Sequence, residues 1–186
     1  MLWLRQLLAL AWTPILLAAG PALPGVHNLS QEPVNPFASG RVTVLLFVRS
    51  DCPISKRYAP ELHRISELFR AQPVRFWLVF PDPAETAQDV TGTLSQFSFP
   101  GTPVLDPKHA LVRVSHATVA PEAAVFNAAG ALQYHGRIDD LYVDIGKSHP
   151  VAQVHDLQDA IHAVLAGRSV AHPETPAIGC SLADIQ

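Results

Sequence analysis

The chain has 186 residues, enough for one domain with a substantial core. Hydrophobic residues make up 48% and charged residues 16%, so a disordered chain is excluded. The net charge of −3 provides no basic surface for nucleic acid or for an anionic membrane, and neither is predicted as a partner.

The first twenty residues have the layout of a secretory signal peptide. Arg5 is the only charge, an apolar stretch spans residues 7–19, and small residues end it. The stretch is shorter than the roughly 20 residues of a membrane span, so we expect cleavage at about 19–22 rather than an uncleaved anchor. The sequence therefore predicts an exported protein, periplasmic or extracellular, without stable membrane insertion after cleavage. In either location a disulfide can persist.

The first elements after the signal place a cysteine in an informative position. Residues 21–40 are rich in proline and are predicted to be a leader, with one short strand around 26–29. Residues 42–48 form an unbroken apolar run, typical of a strand buried on both faces. From Ile54 to about residue 70, apolar residues recur every three or four positions and predict a helix. Cys52 precedes this helix, where the helix dipole and free N–H groups favour a thiolate.

The remaining elements follow from apolar runs and turn residues. In chain order they are a strand at 74–80, a helix at 84–97, a loop at 99–103, a short helix at 108–115, a hairpin with strands at 122–127 and 131–136, and a helix at 155–166. This order predicts an α/β, thioredoxin-like domain over residues 41–167, with a central mixed sheet, flanking helices and a C-terminal β-hairpin plus helix. Residues 168–186 are predicted to be an irregular tail that carries Cys180.

Three segments carry a family resemblance. They are Phe47 to Ser55 with Tyr58-Ala59-Pro60-Glu61, Ala120 to Phe126 with Gly130 and Tyr134 to Asp140, and the weaker Ile178-Gly179-Cys180. Together they resemble the redoxin branch (thiol-disulfide oxidoreductase and AhpC-TSA-like proteins) of the thioredoxin-like superfamily, in its exported bacterial form. The resemblance implies that Cys52 is the reactive cysteine and that Pro121, usually preceded by a cis bond, packs beside it. It also implies protein thiols or disulfides as partners, and no cofactor.

Several residues depart from the relatives that the motifs resemble. Ser55 stands where a thioredoxin has its second cysteine, and Asp51 where it has tryptophan. Leu45 and Arg49 replace the proline and threonine of peroxiredoxins. Dithiol exchange within one motif is therefore excluded, and peroxidase activity is disfavoured. Ser55 either donates a hydrogen bond to the Cys52 thiolate or belongs to the helix cap.

The second cysteine leaves three alternatives open. Cys180 is a resolving thiol that bridges to Cys52, a permanent structural staple of the tail, or a free thiol that pairs with another protein. Residues 137–140 are likewise open to two interpretations. They form strand-end ion pairs, which we favour, or part of a partner-binding rim.

The function that these residues favour is that of an exported redoxin, a thiol-disulfide oxidoreductase with Cys52 as reactive thiol. One alternative is a non-catalytic binding or copper-delivery module on the same fold. A soft Cu(I) site would then combine Cys52 and Cys180 with His116 or His135, although no metal is the preferred prediction. A peroxiredoxin-like peroxidase is the least favoured alternative, and the oligomeric state is not predicted.

Overall fold

The computed structural model describes residues 23–182, so the predicted signal peptide at 1–20 and its cleavage site at 19–22 lie outside the part described. The strands and helices are β1 Val42–Phe47, α1 Pro53–Leu68, β2 Val74–Phe80, α2 Ala87–Gln96, β3 Thr102–Leu105, α3 Ala110–Ser115, β4 Val119–Ala120, β5 Glu122–Phe126, β6 Leu132–Gly136, β7 Tyr142–Asp144, β8 Lys147–Ser148, α4 Asp156–Leu165 and β9 Cys180–Ser181. Between residues 23 and 182, no helix has the length and apolar character needed to cross a membrane.

Five strands form a central mixed sheet in the order β3-β2-β1-β5-β6. Strands β1, β2 and β3 are parallel and are joined by the crossover helices α1 and α2. Strands β5 and β6 continue the sheet as an antiparallel hairpin. The predicted α/β fold with its C-terminal hairpin and helix is therefore confirmed. Two short antiparallel pairs, β4 with β9 and β7 with β8, lie outside the sheet.

Strand β1 is buried along its whole length because both faces of the sheet are covered. Val44 and Leu46 pack in the cluster that contains the apolar residues of α1 and α4. Leu45 and Phe47 belong to a second cluster, which includes α3 and Val26 of the leader. Successive side chains of a strand point to opposite faces, so this arrangement requires the unbroken apolar run seen in the sequence.

The loop predicted at 99–103 is partly wrong, because Thr102 begins the third parallel strand. Strand β3 pairs with β2 from Trp77 opposite Thr102 to Phe80 opposite Leu105. Pro103 argues against a strand in the sequence, since proline has no backbone N–H to donate to a neighbouring strand. An edge strand tolerates proline, and β3 is at the edge of the sheet.

The tail predicted to be irregular also contains a strand, β9. Its pairing with β4 and the burial of Leu182, which is 3% exposed, attach the tail to the body of the domain. At the other end, the short strand predicted at 26–29 is instead an isolated bridge. There His27 pairs with Leu105 and with Pro33.

The segment after β6 is tied to helices on the same side of the sheet. Arg137 forms an ion pair of 2.7 Å with Asp156 at the start of α4. The Tyr58 hydroxyl of α1 donates to Asp139, which also accepts from the backbone N–H of Leu141 at 2.9 Å. The Arg137–Asp156 contact supports the interpretation of residues 137–140 as a strand-end ion pair. Burial raises the pKa of both Tyr58 and Asp139.

Replacing Tyr58 by phenylalanine should lower the free energy of unfolding by about 1–3 kcal/mol, because the buried Asp139 carboxylate loses a donor. The loss should be smaller at pH 4 than at pH 7, since a protonated Asp139 carries no charge to bury. Urea unfolding at the two pH values measures both effects. Tyr142→Phe is the control, because the Tyr142 ring lies 5.7 Å from the Tyr58 ring. An equal loss in both variants would contradict the assignment to Asp139.

Candidate functional site

A disulfide between Cys52 and Cys180 forms the centre of the site. The two Cα atoms are 6.2 Å apart, and 128 positions separate the residues in the chain. The structure therefore has Cys180 bonded to Cys52 within the chain, and not as a free thiol available to another protein. Cys52 is the N-cap residue of α1, and Pro53 occupies the first helical turn, where a missing N–H costs nothing. The Cys52 side chain is completely buried.

The loop before β5 forms one wall against the disulfide. The peptide bond between Ala120 and Pro121 is cis, which confirms the geometry that the resemblance implied. The Cys52 Sγ lies 3.2 Å from the Ala120 carbonyl oxygen. Glu122 holds this loop, because its buried carboxylate accepts the backbone N–H groups of Thr118 at 2.8 Å and Val119 at 3.1 Å.

The tail binds to the same loop as a short antiparallel strand. Cys180 lies opposite Ala120, and the Leu182 N–H donates to the Thr118 carbonyl at 2.9 Å. The approach is close enough to require glycine before the cysteine. A Cβ on Gly179 would lie 2.3 Å from the Ala120 oxygen, a distance that real Cβ atoms do not show. The tail thus docks through its backbone as well as through the disulfide.

Arg49 connects the loop around Cys52 to the docked tail. Its guanidinium donates to the Ser181 carbonyl at 3.0 Å and pairs with Asp51 at 2.8 Å. A second carboxylate, that of Asp82, lies 3.6 Å away. The pairing with Asp51 neutralises the acid next to Cys52. The sequence singled out Arg49 only as the residue in place of the peroxiredoxin threonine, because its contact with Ser181 spans 132 positions.

Two further residues shape the turn between β1 and α1. Ser55 is fully buried, and its Oγ accepts the backbone N–H of Arg49 at 3.4 Å. This bond holds the turn, whereas the role of Ser55 toward a Cys52 thiolate stays a prediction. Glu85, which the sequence did not single out, accepts the Ser50 N–H at 2.7 Å. Burial of the Glu85 side chain raises its pKa.

Because the pKa of Glu85 is raised by folding, ionising it costs stability as the pH increases above the usual glutamate range of about 4–5. Glu85→Gln keeps the shape and an oxygen acceptor for Ser50 but removes the charge. We therefore expect this variant to be more stable than the wild type at pH 7, with the difference closing below pH 4. Denaturant unfolding of both proteins between pH 4 and pH 7 measures this difference in stability. A variant that is less stable at pH 7 would show that the charged hydrogen bond to Ser50 outweighs burial.

The histidines of the copper alternative lie together in a different cavity. The rings of His116 and His135 are 5.7 Å apart, and both line a cavity of 420 Å³ with Glu122 and Glu174. Cys180 instead lines a separate groove. No group of three or more histidine, cysteine or acidic side chains among residues 23–182 is arranged to hold a metal ion.

No protein-family model and no curated protein matches the sequence. Solved structures do match. A hypothetical protein from Sinorhizobium meliloti 1021 has a TM-score of 0.70 at 19% identity, over 84% of this chain and 88% of that one. An uncharacterized conserved protein from Geobacillus kaustophilus has a TM-score of 0.69 at 21% identity, over 90% of this chain and 93% of that one.

A third match has a described activity. A secreted disulfide oxidoreductase of Mycobacterium tuberculosis, homologous to E. coli DsbE, has a TM-score of 0.52 at 17% identity, over 76% of this chain and 93% of that one. At these identities the comparisons establish architecture. The chain therefore has a thioredoxin-like fold, as its motifs and element order predicted.

Proposed function

We propose that the protein is an exported thiol-disulfide oxidoreductase, and that its Cys52–Cys180 disulfide exchanges with the thiols or disulfides of other proteins. One observation carries the proposal. The disulfide joins the N-terminus of α1, beside the cis-Pro121 loop, to a tail held by a two-residue strand pair. A helix N-terminus favours a thiolate, which is the reactive form of a cysteine, and Cys52 occupies that position in α1.

The chemistry transfers two electrons per cycle. A partner dithiol becomes a disulfide while Cys52–Cys180 becomes two thiols, and the reverse reaction reduces a partner disulfide. The Ala120–Pro121 loop supplies the wall beside the Cys52 sulfur. Arg49 offsets the charge of Asp51 and, through Ser181, keeps Cys180 close. The copper-delivery alternative has less support, because the paired sulfurs offer no thiolate and the two histidines line another cavity.

The test is a turnover assay with a dithiol peptide. The oxidised protein is mixed with the reduced peptide, and chromatography follows peptide oxidation. We expect one peptide disulfide per protein disulfide consumed, and no oxidation by Cys52→Ser or Cys180→Ser, neither of which can form the bond. Arg70→Gln, just beyond the C-terminal end of α1 and far from the disulfide, is the control and should react like the wild type. If the peptide stays reduced and the protein disulfide stays intact, the bond is a structural staple and a binding module becomes the better description.

A further inference from the structure

The two cysteines of the disulfide differ in their exposure to solvent. Cys52 is 0% exposed, and its Sγ faces the Ala120 carbonyl oxygen at 3.2 Å. Cys180 is partly exposed. Exchange begins when a thiolate reaches one of the two sulfurs, so accessibility decides which of them is attacked.

A groove of 660 Å³ borders Cys180, the more exposed of the two cysteines. It is lined by Cys180 and its neighbours, by the first turns of α1 and by the turn between β7 and β8, while Cys52 is not part of its surface. Ile54 and Ile145 give the groove apolar walls, and the Ile145 side chain is 75% exposed. An aliphatic side chain so exposed beside a disulfide suits contact with a partner.

One cation borders the groove. Arg57 lines it and is exposed, and no ion pair or hydrogen bond engages its side chain within the described stretch 23–182. Arg49, the other arginine near the disulfide, is already paired with Asp51 and Asp82. An incoming segment that carries a negative charge near its thiol is therefore favoured over one that carries a positive charge.

We propose that an incoming partner thiolate attacks Cys180 rather than Cys52, and that the groove seats a cysteine-containing segment with apolar and acidic side chains. This inference rests on the proposed function. It reverses, for the oxidised protein, the role that the family resemblance gives to Cys52.

The electrons balance in two steps. The partner thiolate forms a bond with the Cys180 sulfur, the Cys52–Cys180 bond breaks, and its electron pair leaves on Cys52 as a thiolate at the helix N-terminus. A second thiolate of the same partner then attacks the partner sulfur of the mixed disulfide and releases Cys180 as a thiolate. The partner is oxidised by two electrons, the protein is reduced by two, and the protons of the partner thiols pass to solvent or to the new protein thiols.

Glutathione, which has a net negative charge, is the probe for the site of attack. The oxidised protein is mixed with glutathione, quenched with acid within seconds, treated with N-ethylmaleimide, and mapped by peptide mass. At the earliest times we expect protein that carries glutathione on Cys180 and maleimide on Cys52. This species should be at least ten times more abundant than the one with glutathione on Cys52 and maleimide on Cys180. Extrapolation to zero time separates the first attack from later migration between the two sulfurs.

The outcomes separate this inference from the function on which it rests. Glutathione found first on Cys52, in a protein that still oxidises the dithiol peptide, overturns the order of attack and leaves the oxidoreductase proposal in place. If neither cysteine reacts and the peptide is not oxidised, both fail.

The charge of the groove is tested with two small thiols, anionic 2-mercaptoethanesulfonate and cationic cysteamine. Each thiol reduces the protein disulfide at a measured rate, and the rate with the anionic thiol is divided by the rate with the cationic one. This ratio should fall about two- to fivefold in Arg57→Gln, as expected for the loss of one exposed positive charge near the reacting sulfur. It should stay unchanged in Arg70→Gln, which lies just beyond the C-terminal end of the same helix. An unchanged ratio in Arg57→Gln overturns the seating of an acidic segment by this arginine.

Discussion

Loss of the disulfide should lower the free energy of unfolding by about 4–5 kcal/mol, whether by reduction or by Cys180→Ser. The bond closes a loop between residues 128 positions apart, and a loop of that length removes much entropy from the unfolded chain. Urea unfolding of the oxidised and reduced wild type measures the effect without a mutation. Reduction should also accelerate hydrogen exchange at the Leu182 N–H, because the β4–β9 pair loses its covalent anchor.

Cys180→Ser serves as the matched control for the chemical treatment. Its unfolding midpoint should equal that of the reduced wild type and should not respond to reductant. Oxidised and reduced wild type that unfold at the same urea concentration would contradict the prediction, since the bond would then add no constraint to the unfolded chain.

Gly179→Ala should weaken the same bond by a steric route. The new Cβ would lie 2.3 Å from the Ala120 oxygen and 2.6 Å from the Ala120 carbonyl carbon, both backbone atoms that cannot rotate away. Overpacking of this kind costs about 1–3 kcal/mol, and only the docked, oxidised form bears the cost. We therefore expect the equilibrium constant for disulfide formation in a glutathione buffer to fall by a factor of about 5 to 150.

Gly92→Ala is the matched substitution for this experiment. Gly92 lies within α2, and a Cβ there meets no atom within 4 Å. The change should leave the disulfide equilibrium unaltered and should stabilise the protein by up to about 1 kcal/mol through helix propensity. If Gly179→Ala forms the disulfide as readily as Gly92→Ala does, the tail does not dock as closely to Ala120 as described.

The elements that sequence predicted well are those whose signal is local. An apolar run specifies β1, and an apolar stripe specifies α1, so the turn between them and the position of Cys52 followed directly. Strand β3 was missed because Pro103 obscures a strand whose only evidence is pairing with β2. Strand β9 was missed because two residues show no periodicity.

For the site as well, features set by neighbouring residues could be predicted, and features set by distant contacts could not. The position of Cys52 at the N-cap of α1 could be predicted from its neighbours, whereas Pro121 came from the family resemblance. The contacts of Arg49 with Ser181 and of Gly179 with Ala120 join segments that are far apart in the chain. No pattern in the neighbouring sequence predicts such contacts. A glycine immediately before a cysteine was the one available signal for the close approach of the tail, and it is too common to carry a prediction alone.

The proposed exchange reaction requires the Cys52–Cys180 bond to open and close reversibly. The most direct measurement equilibrates the purified chain in glutathione buffers of graded potential at pH 7, blocks free thiols, and reads the oxidised fraction by mass. We predict one reversible two-electron transition with a midpoint above about −300 mV, in the range of labile or catalytic disulfides. A bond that stays oxidised throughout, down to that potential, would contradict the claim and identify a permanent staple.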